Sequence, residues 1–152
     1  MDDIDARIVA FLVRDARASY ALIGGEVGLS APAVKRRVDR LRAAGAITGF
    51  SARVDPAAMG WTTEAFVELF CTHRTTPAQL KAAARRHPEV VGAYTVSGQA
   101  DALVHLRAAD IAHLEQALER LRSESFVTST HSMIVLSRLI DEPQSSPPGS
   151  DL

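Results

Sequence analysis

Gly28-Leu29-Ser30-Ala31-Pro32-Ala33-Val34-Lys35-Arg36-Arg37-Val38-Asp39-Arg40-Leu41 is the stretch that decides how the chain folds. Glycine takes the left-handed conformation that ends a helix at little cost, so Gly28 predicts a turn. Ser30 then reads as an N-cap whose side-chain oxygen accepts from an orphan amide of the next helix. Pro32 suits that helix's first turn, where a missing N–H costs nothing. Val34, Val38 and Leu41 recur at i, i+4, i+7 and share one inward face. At about 100° per residue, Pro32, Arg36 and Asp39 lie opposite them, Ala33, Lys35 and Arg40 fall on the flanks, and Arg37 sits near the apolar edge. An apolar seat with small or basic residues on the far side is what a helix entering the major groove of double-stranded DNA requires.

The residues before this stretch complete the motif. Asp2 or Asp3 predicts the cap of a helix running to about Asp15, with Ile4, Ile8, Phe11 and Leu12 on its inner face. Asp15-Ala16-Arg17-Ala18-Ser19 interrupts the pattern, and Ser19 can cap a second helix through about Val27, packed by Leu22, Ile23 and Val27. Gly24-Gly25 costs about 1 kcal/mol per glycine relative to alanine in a helix interior. Two explanations stay open for that pair: a close helix–helix approach or a frayed helix. Helix, glycine turn, helix is helix-turn-helix order.

The formal net charge of −1 conceals an uneven distribution. Residues 1–60 hold 9 Lys/Arg against 7 Asp/Glu, and residues 61–152 hold 8 against 11. Residues 35–42 alone reach +4, from Lys35, Arg36, Arg37, Arg40 and Arg42 against Asp39. A local patch of this size attracts phosphates whatever the total. A charge run by itself is usually a solvated face, but here a glycine turn and a short helix precede it. The predicted DNA contacts are Ser30, Ala31, Pro32, Lys35, Arg36, Arg37, Arg40 and Arg42, from the helix start and its basic side.

The 152 residues suit one ordinary domain or two small ones, and the composition, 47% apolar and 23% charged, is that of a globular protein. A lone cysteine, Cys71, excludes a disulfide framework and points to a reducing cytoplasm. No apolar run reaches the roughly 18–20 residues of a membrane span, and the acidic start Met1-Asp2-Asp3-Ile4-Asp5 is unlike a targeting peptide.

Beyond the helical module, residues 45–54 alternate weakly and predict a short strand leaving through Gly45. Asp55-Pro56-Ala57-Ala58-Met59-Gly60 predicts a turn or a single helical turn. Residues 64–71 predict a strand apolar on both faces, with Ala65, Val67 and Leu69 on one and Phe66 and Phe70 on the other. Such a sheet needs cover on both sides, helices on one and a second subunit on the other. A helix over 77–87 stopped by Pro88, strands over 90–97 and 102–107, a helix capped by Asp110 and a strand over 127–139 follow. The fold class is therefore α+β: an N-terminal helix-turn-helix, winged-helix-like, followed by a ferredoxin-like βαββαβ module. The domain expectation is 1–50 for DNA binding, 51–62 for the connection, 63–140 for the sheet module, and a Pro/Ser-rich disordered tail over 141–152.

This order resembles the Lrp/AsnC (leucine-responsive, feast/famine) family of transcription regulators. The match rests on Asp2-x-x-Asp5 with Ile8, Arg17-x-Ser19, Val27-Gly28-Leu29-Ser30, Val34-x-x-Arg37-Val38-x-Arg40-Leu41, Gly45-x-Ile47-x-Gly49-Phe50, Asp55-Pro56 and Gly98-x-x-Asp101. The resemblance implies a homodimer paired through its sheets and assembled into tetramers or octamers, a pseudo-palindromic operator, and a small effector, usually an amino acid. Carried over by position, the effector-binding residues are Gly98, Gln99, Ala100 and Asp101, with Ser97 and Tyr94 nearby. Many relatives have Thr where Ser97 stands and an aromatic where Ala100 stands. The residues alone allow a structural turn instead, with Gly98 at positive φ and Asp101 bonded to its own backbone.

Nothing in the sequence calls for a cofactor, a metal or catalysis. His73, His87, His105, His113 and His131 have no metal-ligand spacing, and no phosphate loop or nucleophile elbow is present. The rival reading is a siroheme-decarboxylase-like enzyme on the same fold, with His105 and His131 holding a tetrapyrrole; a Soret band would reveal it. An effector-independent nucleoid-type DNA-binding protein is a further alternative.

Overall fold

The computed structural model of the chain describes residues 1–140, so the expected tail over 141–152 lies outside the described residues. The first unit comprises residues 1–53 with 139–140 and the second residues 54–138.

In the first unit, Asp2 opens α1 (Asp3–Arg14) through a capping box. Its carboxylate accepts from the Asp5 amide at 2.8 Å, and the Asp5 carboxylate accepts from the Asp2 amide at 3.3 Å. The Ser19 hydroxyl accepts from the Leu22 amide to start α2 (Tyr20–Val27), and Gly28 ends it at φ 73°. α3 (Ala31–Ala43) follows, and Ile8, Leu12, Ile23, Val27, Val34 and Val38 form the buried core of the three helices.

Two expectations change here. Leu22 does not pack: it is 53% exposed, because Ile23 and Val27, four residues apart, already occupy the one face this eight-residue helix turns inward. The two glycines also separate. A Cβ on Gly24 would stand 2.3 Å from the Leu29 carbonyl oxygen, whereas one on Gly25 would meet nothing. The close approach is therefore between α2 and the turn that follows it, not between two helices. The amides of Gly28 and Leu29 both bond to the Gly24 carbonyl, which holds the turn against that glycine.

No strand forms over residues 45–54. The amides of Ala46 and Ile47 turn back to the Leu41 carbonyl, and no described strand lies alongside to supply a ladder. Extended backbone becomes a strand only when paired. Pro56–Met59 makes a single 3-10 turn, capped by the Asp55 carboxylate on the Ala57 amide at 3.0 Å.

The second unit has the expected βαββαβ order: β1 (Thr63–Cys71), α4 (Pro77–Ala84), β2 (Val90–Thr95), β3 (Ala102–Ala108), α5 (Ile111–Arg122) and β4 (Val127–Ile134). The strands lie in the order β2-β3-β1-β4 and every neighbouring pair is antiparallel. Ala65, Val67 and Leu69 of β1 and Ala102, Val104, Leu106 and Ala108 of β3 point to the helices, where Leu80, Leu114 and Leu121 cover them. The opposite face carries Phe66, Glu68, Leu103, His105 and Met133, by the period-two alternation of paired strands.

Three elements are shorter than expected. β4 ends at Ile134 rather than 139, because after Ile134 pairs with Ala65 and the Val135 amide bonds to the Glu64 carbonyl, β1 has almost no backbone left. β2 stops at Thr95, opposite the first residue of β3. α4 stops at Ala84, and the Arg86 and His87 amides turn tightly onto Ala83 and Ala84, since the residue before Pro88 is disfavoured in a helix.

Candidate nucleic-acid interface and ligand-binding turn

Ser30 stands at the cap position of α3 in extended conformation, yet its hydroxyl caps nothing. Pro32 has no amide to offer, and the Ala33 and Val34 amides both bond at 3.0 Å to the Ser30 main-chain carbonyl. The expected side-chain cap is thus replaced by a main-chain one, and the Ser30 hydroxyl is left exposed for an outside partner. Ala31 is half-buried and Pro32 exposed beside it.

The five cations of α3 divide into two groups. Arg37 reaches back to α1, with Nη1 2.7 Å from the Asp2 carboxylate and 2.8 Å from that of Asp5. Arg40 lies 2.8 Å from the other Asp5 oxygen, and Lys35 is 2.6 Å from Asp39 one turn along. The side chains of Arg36 and Arg42 are exposed, with no hydrogen-bond or ion-pair partner among the described residues. Asp5 itself is buried, and the Arg37 hydrogen bond, outweighing burial, holds its carboxyl below the usual range. Arg37 and the Asp5 amide do the same for Asp2. The sequence shows Asp2 as a possible helix cap and Asp5 only as part of the family motif, because partners 32 and 35 residues away carry no local signal.

At the turn after β2, Ser97, Gly98, Gln99 and Asp101 are exposed, while Ala100 is 7% exposed and presents almost no side-chain surface. Gly98 sits at φ 138°, the positive-φ backbone foreseen for a structural turn. The Asp101 carboxylate accepts from the Cys71 amide at 2.7 Å, and the Asp101 amide donates to the Leu69 carbonyl at 2.9 Å. The turn is therefore pinned to the end of β1 rather than closed on its own backbone. Tyr94 is 57% exposed, and its hydroxyl lies 2.9 Å from where a Cβ of Gly92 would stand. Burial and the neighbouring Asp101 charge push the Cys71 thiol up, away from thiolate chemistry.

The two histidines considered for a tetrapyrrole are each held by a carboxylate. His105 is hydrogen-bonded to Glu64 and stacked on Phe66, and His131 lies 3.0 Å from Glu68. Burial pushes the Glu64 carboxyl up, but hydrogen bonds from Arg138 and His105 bring it below the ordinary range. Among the described residues, no group of His, Cys, Asp or Glu is placed to hold a metal, and no helix is long and apolar enough to cross a membrane.

Comparison with known proteins agrees with both halves of the chain. Residues 1–42 match the AsnC-type helix-turn-helix domain and residues 64–145 the Lrp/AsnC ligand binding domain. The HTH-type transcriptional regulator Rv2324 of Mycobacterium tuberculosis is 55% identical over 141 residues, covering 93% of this chain and 95% of that protein. The regulator LrpA of the same organism is 34% identical, with 97% of each chain covered. Among solved structures, a feast or famine regulatory protein from M. tuberculosis complexed with L-methionine superposes with a TM-score of 0.89 at 34% identity, covering 96% of this chain and 99% of the other. The chain belongs to the Lrp/AsnC family of helix-turn-helix transcriptional regulators.

Proposed function

We propose that α3 reads double-stranded DNA through Arg36 and Arg42, with Ser30 at its start, and that an amino acid bound at the 97–101 turn controls that reading. The observation that carries the proposal is the division of the helix's cations. Arg37 and Arg40 brace α3 against α1 and Lys35 is held by Asp39, while Arg36 and Arg42 stay unspent. Arg36 is the candidate for a guanine edge and Arg42 for a phosphate; Ala31 and Pro32 are small enough to let the backbone come close. Arg40, its side chain 61% exposed, adds a phosphate contact from the flank.

The chain then acts as a homodimer whose outer sheet faces pair, bringing two α3 helices to half-sites about 34 Å apart on a pseudo-palindromic operator. Residues 1–50 bind DNA, 51–62 connect, and 63–140 bind the effector and assemble the oligomer, up to a tetramer or octamer. The relative complexed with L-methionine supports an amino acid as effector. At the turn, exposed amides near Gly98 suit a carboxylate, and the Asp101 oxygen not taken by Cys71 suits an ammonium group. The protein works in the cytoplasm, without cofactor or catalysis, and effector binding changes assembly or helix spacing and so DNA affinity.

Fluorescence-anisotropy titration of the Arg36→Ala/Arg42→Ala double variant against operator fragments tests the interface. Binding should fall while the unfolding transition stays in place; unchanged binding overturns the assignment. A thermal-shift screen of the twenty amino acids tests the turn, and a response that survives Asp101→Ala unaltered rejects it.

A further inference from the structure

The helix layer of the sheet module is incomplete above its edge strand. On β3 the inward residues Ala102, Val104, Leu106 and Ala108 are all buried. On β2 the matching positions Ala93 and Thr95, paired with Val104 and Ala102, are exposed. α4, the helix packed on β2, is only eight residues long and carries alanine at three successive positions, 82–84. A cavity of about 470 Å³ results, floored by Ala93, Ala102 and Val104 and walled by Leu80, Leu121 and Phe126. Small-molecule sites are concave, largely apolar and of this size.

The charges around the cavity are of one usable sign. Lys81 and Arg85 line it and are exposed, and their side chains have no hydrogen-bond or ion-pair partner among the described residues. Glu124 lines it too, but its oxygens are taken by Arg86 at 2.7 Å and His87 at 3.0 Å. An ammonium group entering here finds no free carboxylate, while a carboxylate finds two unspent cations. None of residues 97–101 lines the cavity.

We propose that this groove is a second ligand site, taking a small aliphatic monocarboxylate without an amino group, its carbon chain over Ala93 and its carboxylate at Lys81 and Arg85. A branched-chain 2-oxo acid and a short branched fatty acid share that chemistry. The site shares only Tyr94 with the residues assigned to the turn, and its charged end at Lys81 and Arg85 does not depend on an amino acid binding there.

Isothermal titration of the full chain with 4-methyl-2-oxopentanoate and with 4-methylpentanoate, beside leucine and 4-methylpentan-1-amine, tests it. Binding of either acid, and not of the amine, is expected; which of the two binds more tightly distinguishes the source. Lys81→Ala/Arg85→Ala should weaken the acid at least about tenfold, and Ala93→Phe should abolish its binding by filling the floor. Both variants should keep wild-type DNA affinity and any leucine response, so failure here is distinguishable from failure of the interface or of the turn. The double variant is altered only at exposed positions, so the test stands even where Ala93→Phe does not fold. Absence of acid binding, acid binding untouched by the charge removal, or loss of a leucine response together with the acid overturns the proposal.

Discussion

The basic helix α3 and the turn at residues 97–101 differ in how much of their chemistry is already spent. α3 has more cations than its fold consumes, because Asp2, Asp5 and Asp39 engage three and leave Arg36 and Arg42. At the turn, the carboxylate most suited to a ligand already accepts from the Cys71 amide. One region holds itself in place with some charges and offers the others outward. The other, in the proposed reading, asks a single group to serve both purposes, which would couple structure and binding there. A substitution at Arg36 or Arg42 separates the two roles in α3, where Arg40 alone is assigned both, and none can at Asp101.

The strongest way to break this comparison is to remove the seat of α3 altogether. Gly24→Ala places a Cβ against the Leu29 carbonyl, fixed backbone that cannot swing away, and should cost about 3 kcal/mol in urea unfolding. Wild-type stability in that variant would mean that the turn does not press on α2.

Next in size is the contrast within α3. Arg36→Ala should lose about 2 kcal/mol of operator affinity with the unfolding transition unmoved, whereas Arg37→Ala should move that transition through its ties to Asp2 and Asp5. Equal effects of the two on stability would erase the division.

Asp5→Asn sharpens the same point through pH. The Asp5 carboxyl is held below its ordinary value, so its contribution is present above about pH 4, the unfolded range, and lost as pH falls through the lower folded value. At neutral pH the variant should be less stable by about 1.5 kcal/mol, discounted because the Arg40 partner is largely exposed. The gap from wild type, read from urea midpoints, should close as the solution is acidified. A gap independent of pH would remove the ion pairs as its cause.

Asp101→Ala should cost about 1 kcal/mol by leaving the Cys71 amide without its acceptor. It should also abolish the amino-acid thermal shift, the coupling absent from α3. Smallest and opposite in sign, Gly25→Ala should stabilise by about 0.5–1 kcal/mol, since its Cβ meets nothing and the unfolded chain loses freedom.

Much of this was legible because it is local. The i, i+4, i+7 spacing of Val34, Val38 and Leu41 places them in the core, and Gly28 takes its left-handed backbone from the absence of a side chain. The βαββαβ order follows from strand alternation and from caps such as Asp110, which accepts from the His113 amide at 2.8 Å. What misled was local too. Ser30 has the right residue type for a side-chain cap but is followed by a proline that removes the amide, and Leu22 is apolar on a helix too short to bury it. Residues 45–54 have the alternation of a strand without a described neighbour to pair with.

The sequence by itself determined the helices and the βαββαβ order, most of the buried faces and the basic helix, since these depend on contacts a few residues apart. Only the tertiary structure decided which charges remain available: it brings Asp5 to Arg37 and Arg40, Asp101 to Cys71, and Glu124 to Arg86 and His87 across 30 or more residues. It also decided that the inner face of β2 stays uncovered at Ala93 and Thr95. The physical reason is the same in each case, because an ion pair or a groove depends on distances in space that no spacing along the chain encodes.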